Sequence, residues 1–454
     1  MNEADSQYIA RRALSAGYTI AAKPHDASVV VLNTCTVRET AQRRAYGRMA
    51  HLGVLKSGNP NLKLVVTGCL AEQDRDRMRR AVPHVDAVFG TSELGLLGDA
   101  LVDWRPYFEE TDATESDVLL QTIGGEPDCI TDQFSGLRAF VTVQRGCSYY
   151  CTFCIVPHVR GRFDHRPMEE ILRDVREKVR SGAREVMLVG QTVNSYRDGT
   201  GADFGALASA VCGVEGLERL SFISPHPKDF TEKIVRELAA LPQLNPRIHL
   251  PLQSASDPVL RRMNRKYTAA QYAEKLAFFR AYAPSWAVTT DIIVGFPGET
   301  ESDFQQTLDF CERTQFAQAF MFIYSPRRGT PAAKWDPVPP SVTAARFKRL
   351  SDVQNDATLA YHRKKIGKTV RALITGPSKK DPAKLAGKTT DNVTVIAPAP
   401  GDFDPLQYAA TPWMDVRVDG AHVWGCTGVM ISRAHRYADG GVEVSAPVFD
   451  LIAL

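Results

Sequence analysis

Apolar positions along the chain fall into three successive patterns. In the first, residues 1–22 set Tyr8, Ile9, Leu14 and Ala16 at helical spacing, and a continuous apolar run over 27–36 ends in a polar turn, as a strand buried on both faces does. A helix over 39–55, a strand over 61–70, a helix over 72–81 and a strand over 86–90 repeat the unit. This alternation predicts a small α/β domain on a parallel sheet, in which ligands gather at the carboxyl ends of the strands. Cys35 and Cys69 both fall at such ends. From about Trp104 to Ser135 the pattern turns irregular and acidic, with Glu109, Glu110, Asp112, Glu115 and Asp117, and reads as a crossing to the next domain. The first domain is taken as 1–123 and the linker proper as 124–135, where Cys129 has no neighbour that suggests a role.

The second pattern, 136–366, alternates strands over 137–144, 185–190, 218–223, 247–253, 287–295 and 318–324 with helices over 168–181, near Ala206, and over 229–241, 269–283 and 301–314. Six strands are too few for an eight-strand barrel, so an open (β/α)6 partial barrel is predicted, followed by a helix over 342–365. The third pattern, 367–433, has short strands over 369–375, 393–397, 414–418 and 428–433, bounded by Gly, Pro and Asp, and predicts a small all-β barrel. Residues 397–412 read as a surface loop and 434–454 as a tail.

A chain of 454 residues accommodates two or three domains, each with its own core. No apolar run approaches the roughly 20 residues that cross a bilayer, and Met-Asn-Glu-Ala-Asp lacks the features of a signal peptide, so a cytoplasmic protein with no membrane partner is expected. Nine cysteines without an export signal argue against a disulfide framework and toward metal or redox use. The formal charge of +3 decides nothing, but its distribution does: from Arg363 to Lys388 there are nine Lys or Arg against one acid, Asp381. Such a stretch attracts a polyanion or is simply a solvated face.

The candidate chemistry centres on Arg145-Gly146-Cys147-Ser148-Tyr149-Tyr150-Cys151-Thr152-Phe153-Cys154, three thiols spaced C-x3-C-x2-C just after an apolar strand. This spacing also suits three buried cysteines on one helix face. Gly146 before it and Pro157 and Gly161 after it favour a loop wrapped around a ligand. Zinc would need a fourth ligand, for which His158 is available, although structural zinc sites more often use paired C-x2-C knuckles. A four-iron cluster on three thiolates leaves one iron open to a small molecule. Cys35 or Cys69 alone would read as an ordinary buried thiol, whereas two at equivalent strand ends suggest shared, incomplete ligation.

The loop Cys147, Cys151, Cys154, with Phe153 before the third cysteine, resembles the signature of the radical S-adenosylmethionine superfamily. Further segments resemble the methylthiotransferases within it: Asn33-Thr34-Cys35-Thr36-Val37-Arg38, Thr67-Gly68-Cys69-Leu70-Ala71-Glu72, Cys154-Ile155-Val156-Pro157-His158-Val159-Arg160-Gly161, Gly190-Gln191-Thr192-Val193-Asn194-Ser195-Tyr196, His249-Leu250-Pro251-Leu252-Gln253-Ser254 and Gly295-Phe296-Pro297-Gly298-Glu299-Thr300. The resemblance implies two 4Fe-4S clusters, S-adenosylmethionine as cofactor, and a C-terminal TRAM domain that grips RNA. One cluster, on the catalytic Cys147, Cys151 and Cys154, would cleave the cofactor to a 5′-deoxyadenosyl radical. The other, on Cys35, Cys69 and a third cysteine, would carry the sulfur. In the family that third cysteine belongs to a Gly-Cys-x-Met-Asn motif whose tail Met1-Asn2 matches, so it is expected upstream of Met1.

The implied reaction is methylthiolation of C2 of N6-isopentenyladenosine immediately 3′ of the tRNA anticodon, and Gly190-Gln191-Thr192-Val193-Asn194 favours it. The alternatives are N6-threonylcarbamoyladenosine at the same position, a ribosomal-protein aspartate, and, from a different class, a non-catalytic RNA-binding protein with structural zinc. Expected partners are the tRNA anticodon stem-loop and an electron donor such as flavodoxin or ferredoxin, with the chain a monomer. Gln191, Asn194, Ser224, Gln253, Asp291 and Glu299 are the expected polar contacts to the cofactor, with Ile293 and Gly295 flanking its adenine; each is otherwise a turn or cap residue. Arg160 and Arg162 are expected near substrate phosphate or the cofactor carboxylate, or in surface ion pairs. Asn264, Arg265 and Tyr267 reach RNA or form a helix end, and His226 and His249 are structural. Phe403, Tyr408, Trp413 and Trp424 stack bases or fill the barrel core.

Overall fold

The run Val29–Thr34 shows why the first apolar pattern is continuous: alternate side chains of one strand feed two different cores. The structure, a computed structural model, describes residues 2–36, 39–109, 117–123, 138–399 and 413–433. It divides into two compact units, Met1–Tyr361 and His362–Leu454.

The first unit begins with α1 (Asn2–Ser15), β1 (Thr19–Ile20), β2 (Val29–Thr34), α2 (Glu39–Gly58), β3 (Lys63–Gly68), α3 (Cys69–Ala81), β4 (Ala87–Phe89), α4 (Leu94–Glu109) and β5 (Asp117–Ile123). The strands form a parallel sheet in the order β1-β5-β2-β3-β4. Val30, Leu32, Leu64 and Val66 pack with Met49, Leu52, Leu70 and Met78 of α2 and α3. Val29, Val31 and Val65 pack on the opposite face with Ile9, Ala13, Leu97 and Leu101 of α1 and α4.

Three expectations need correction here. The first helix stops at Ser15 rather than at about 22, and Leu14 is 53% exposed while Ile9 and Ala13 turn inward. Cys69 is the first residue of α3 and not the last of a strand. The acidic crossing from Trp104 to Ser135 contains the end of α4 and all of β5, which lies between β1 and β2 with Val118 and Leu119 buried. The flanking acids masked a short strand whose hydrogen-bond partners lie about ninety residues away in sequence. Cys129 lies outside the described residues.

The second sheet series comprises β6 (Arg138–Thr142), β7 (Gln144–Arg145), α5 (Val156–Val159), β8 (Asp164–His165), α6 (Met168–Arg180), β9 (Glu185–Val189), α7 (Phe204–Cys212), β10 (Arg219–Phe222), α8 (Glu232–Ala239), β11 (Arg247–His249), α9 (Asp257–Arg262), α10 (Ala269–Tyr282), β12 (Ala287–Val294), α11 (Glu301–Thr314), β13 (Gln318–Ile323) and α12 (Pro340–Arg363). Strands β6-β9-β10 and β11-β12-β13 form two parallel sheets. They join where Leu220 accepts from Asn245 and donates to Gln243. Among the described residues no ladder closes β13 onto β6, so the six strands make the open partial barrel expected. β11 is shorter than the predicted 247–253: Pro251 cannot donate to the ladder, and pairing resumes only as a bridge from Gln253 to Ile292.

In the second unit β14 (Thr369–Ser378), β15 (Asp381–Thr389), β16 (Thr394–Pro398), β17 (Trp413–His422) and β18 (Gly425–Arg433) close a barrel in the order β14-β15-β16-β18-β17. β15 was not expected. Only Leu385, Gly387 and Thr389 turn inward along it, too small a set to stand out from its lysines. Residues 400–412, with Phe403 and Tyr408, and 434–454 lie outside the described residues.

The loop after β12 is tied to α12 by a buried ion pair, Arg346 Nη1 to Glu299 Oε2 at 3.0 Å, with side chains 6% and 2% exposed. Replacing Arg346 by Met strands the buried carboxylate and is expected to lower unfolding stability by about 3–5 kcal/mol in denaturant titration. Arg349→Met, which breaks an exposed pair with Glu301, should cost about 1 kcal/mol or less.

Candidate active site and metal centres

Strand β6 delivers the chain to the three thiols, and the small β7–β8 pairing of Gln144 with His165 and Arg145 with Asp164 holds the base of the loop. Gly146 turns it with φ +71, and a Cβ there would stand 1.9 Å from the Arg162 carbonyl oxygen, so only glycine fits. The Cys147 N–H donates to Gly161 O at 3.0 Å and the Cys154 N–H to Cys151 O at 3.0 Å. Tyr150 takes a left-handed φ of 50°. This is a wrapped loop and not a helix face, which removes the buried-helix alternative.

Side chains from other strand ends then fix the sulfurs. Cys147 Sγ lies 3.3 Å from Thr192 Oγ1, and Arg265 Nη1 donates to Cys151 Sγ at 3.4 Å. Asn264 Nδ2 donates to the carbonyls of Tyr149 (3.2 Å) and Tyr150 (2.8 Å), and Tyr267 donates its hydroxyl to Pro251 O and Leu252 O at 2.9 Å each. Asn264 and Arg265 thus brace the cysteine loop, and Tyr267 holds the turn at Pro251 and Leu252. Burial pushes the Cys154 thiol up to about 12, with the Cys151 thiol adding to it, and burial also raises Cys147 against the hydrogen bond from Thr192.

The residues fit an iron-sulfur cluster better than zinc. Among the described residues no three His, Cys, Asp or Glu side chains converge on a single-ion site, as zinc requires. A four-iron cube takes its thiolates at separate corners. A cavity of about 350 Å³ opens beside Cys151, lined also by Tyr150, His158, Lys334 and Trp335. His158 is exposed on its wall.

The expected cofactor contacts divide into two groups. Gln191, just past β9, has a buried Oε1 without a hydrogen-bond partner, as do His226 Nε2 and Asp229 Oδ2 near the end of β10. Such orphaned atoms suit the polar groups of a ligand bound above the thiols. Ser224 (φ 58) is exposed and Gln253 (φ 69) is 8% exposed, both at strand ends in left-handed conformations. Asn194 is fully buried, and its amide brackets the backbone of His226, accepting at 2.7 Å and donating at 2.9 Å; it positions a turn. Asp291 pairs with His249 Nε2 at 3.2 Å, and Ile293 packs beside Phe153 and Phe296. Gly295 donates its N–H to Glu299 at 2.9 Å. Burial pushes the Glu299 carboxyl up to about 7, against the pull of that N–H and of Arg346. Glu299 is therefore engaged in holding its own loop. Sequence reading missed Thr192, although it sits inside a quoted motif. It also missed Tyr149, whose ring stacks on His226 at 4.2 Å and whose hydroxyl donates to Asp229.

The second pair of thiols lies at the edge of the first sheet. β2 and β3 are in register through Thr34 and Gly68, so Cys35 and Cys69 are the residues that immediately follow the ends of adjacent strands. Gly68 has φ +97, and a Cβ there would meet Thr34 O at 2.3 Å. Asn33 Oδ1, Thr36 Oγ1 and Thr67 Oγ1 are buried without hydrogen-bond partners around this edge. Cys69 packs with Ile155 and Val159 of the α5 turn. Arg160 corrects its expectation: its side chain is 4% exposed and turned inward, where it donates to Cys69 Sγ at 3.2 Å and to Asn2 Oδ1 and Asp5 Oδ2 at 2.8 Å each. Asp5, Ile9 and Ala13 share one buried helical face, and an acid on that apolar face was the signal for Asp5. Arg162 is exposed.

Two outcomes follow for the cysteine loop. Gly146→Ala should abolish its cluster, lowering iron after anaerobic reconstitution by about four per chain, with circular dichroism retained. Because burial keeps the Cys147 and Cys154 thiols protonated near neutrality, iron must displace protons. Loading at limiting iron should therefore rise from about pH 7 to about pH 8.5, measured as iron bound per chain.

Comparison with known families matches residues 141–311 to the Radical SAM superfamily and residues 1–90 to a family described as uncharacterized protein family UPF0004. A protein of Moorella thermoacetica, named tRNA-2-methylthio-N(6)-dimethylallyladenosine synthase, is 39% identical over 443 residues, covering 95% of this chain and 96% of its own. Proteins of the same name from Mycolicibacterium smegmatis and Acidothermus cellulolyticus are 41% and 42% identical, over 88% and 86% of this chain and 80% and 79% of theirs. Among solved structures, the radical S-adenosylmethionine methyltransferase TsrM of Kitasatospora setae, with tryptophan and an S-adenosylmethionine analogue bound, superposes with a TM-score of 0.51 at 13% identity over 72% of this chain and 77% of its own; that likeness is one of fold. With a wrapped three-cysteine loop on an open six-strand barrel and near full-length identity to these relatives, the chain belongs to the MiaB-like radical S-adenosylmethionine methylthiotransferases.

Proposed function

We propose that this chain is a tRNA methylthiotransferase that replaces the C2 hydrogen of N6-isopentenyladenosine, immediately 3′ of the anticodon, with a methylthio group. The observation that carries the reading is the pairing of two thiol sites within one unit: Cys147, Cys151 and Cys154 in the loop that runs into α5, and Cys69, packed on Ile155 and Val159 of that turn, with Cys35 at the end of the neighbouring strand. When bound, a four-iron cluster at the first site supplies one electron to S-adenosylmethionine for radical formation, and a second at Cys35 and Cys69 supplies the sulfur.

The chain's own residues set the conditions. Arg265 offsets the charge gathered at Cys151, and Thr192 holds Cys147. The unpartnered atoms of Gln191, His226 and Asp229 receive the cofactor's polar groups, while Ile293, Phe153 and Phe296 keep water from the reacting centre. No acid/base pair is needed for hydrogen-atom removal, and Asp291, paired with His249, is free of that duty. In the second unit Trp424 is 55% exposed and stacked on His422 at 4.9 Å, a platform for an unpaired base. Trp413 instead lies under Arg371, at 5.2 Å. Among the described residues no helix is long and apolar enough to cross a membrane. A cytoplasmic monomer reduced by a flavodoxin or ferredoxin completes the proposal.

Nucleoside mass spectrometry of tRNA from a strain lacking the protein tests the substrate. The expected result is loss of the methylthio derivative with accumulation of N6-isopentenyladenosine. Accumulation of unthiolated N6-threonylcarbamoyladenosine instead would move the activity to the sister substrate, and an unchanged profile would remove it. Trp424→Ala should weaken binding of the anticodon stem-loop by about 1–3 kcal/mol with the salt dependence intact, measured by fluorescence anisotropy.

A further inference from the structure

The two thiol sites are remote along the chain but meet through the segment that follows the third cysteine of the loop. Cys154 is followed at once by Ile155 and the single turn α5 (Val156–Val159), and Arg160 caps that turn with its N–H on Val156 O. Ile155 and Val159 bury one face of the turn against Cys69. The Thr91 hydroxyl, from the turn between β4 and α4, donates to the Val159 carbonyl, so the α5 turn is gripped from that side too. Arg160 then sends its side chain to Cys69 Sγ (Nε, 3.2 Å), Asn2 Oδ1 and Asp5 Oδ2 (Nη2, 2.8 Å each). Both members of the Arg160–Asp5 pair are almost wholly buried, at 4% and 3% exposure. A desolvated guanidinium persists only where its donors are matched, and here one donor is matched by a sulfur.

We propose that Arg160 is a positioning residue of the sulfur-donating site: it holds the Cys69 sulfur as an anionic metal ligand and pins the metal edge of the N-terminal sheet to the cysteine loop, fixing the separation of the two sites. This rests on the reading that Cys35 and Cys69 hold a second cluster. A hydrogen bond donated to a ligating sulfur stabilises the more negative, reduced state, so Arg160 raises the potential of the metal group at Cys69. Arg265 stands in the same relation to Cys151, at 3.4 Å, so each site has its own arginine on one sulfur and serves as the control for the other.

The test uses Arg160→Gln and Arg160→Lys in the full chain after anaerobic reconstitution, read by iron content, by redox titration followed by electron paramagnetic resonance, and by amide hydrogen exchange. In Arg160→Gln the second cluster should become about tenfold harder to reduce at fixed potential, a fall of ~59 mV for one electron, while the cluster on Cys147, Cys151 and Cys154 keeps its potential. Arg160→Lys, which keeps the charge, should recover part of that shift. Exchange should quicken at least about tenfold in Asn2–Ser15 and Cys69–Ala81, with Met168–Arg180 unchanged. Asp5→Asn, which weakens the same fork without changing its volume, should move both readouts in the same direction and guards against simple misfolding of Arg160→Gln. An unchanged potential with unchanged exchange overturns the proposal. Wild-type iron of only about four per chain would count against the second cluster and not against the latch, and exchange then decides alone.

Discussion

The buried fork of Arg160 is the contact on which the arrangement of the unit turns. It draws together the start of α1, the first residue of α3 and the end of the α5 turn, three places remote in sequence. Asp5 has to lie on the inward face of α1 to meet it, which is why that helix carries an acid in line with Ile9 and Ala13. Gly68 has to take a left-handed conformation so that Cys69 can turn into α3 facing α5, just as Gly146 does before Cys147. Each group of thiols is thus entered through a glycine that a Cβ would block, and each has one arginine on one sulfur.

Electrostatics sets the resting state of the thiols in both groups. Burial raises the Cys69, Cys147 and Cys154 thiols, so in the bare protein they hold their protons. Metal cations reverse that preference, since a coordinated thiol is deprotonated outright. Arg160 and Arg265 lower the cost for the particular sulfurs they touch. The chemistry then asks the protein for orientation, dryness and anion binding, which strand ends and buried arginines supply.

Much of this was legible in the sequence. The continuous apolar runs gave away the parallel strands, because a strand buried on both faces has no polar side to show. The cysteine spacing, read with Gly146 and Pro157, pointed to the wrapped loop. What escaped was decided by distant partners. β5 is short and flanked by acids, and only its place between β1 and β2 makes it a strand. β15 turns inward on small residues. Arg160, Arg265 and Asn264 were offered outward roles beside ion-pair or helix-end ones, because a charged or polar side chain next to a motif looks available for substrate and nothing local shows that a remote sulfur or carbonyl has claimed it. Asn194 and Glu299 were placed at the right strand ends, yet their polar atoms are spent on His226 and on Gly295 and Arg346.

The central claim is that the three-cysteine loop drives removal of hydrogen from C2 of a tRNA adenosine. The most direct measurement is the fate of that hydrogen. The reduced enzyme is supplied with S-adenosylmethionine and an anticodon stem-loop carrying deuterium at C2 of N6-isopentenyladenosine, and the 5′-deoxyadenosine formed is weighed by mass spectrometry. The account predicts deuterium in the 5′-deoxyadenosine, formed only when Cys147, Cys151 and Cys154 are intact. 5′-Deoxyadenosine free of deuterium, alongside methylthiolated product, would contradict it.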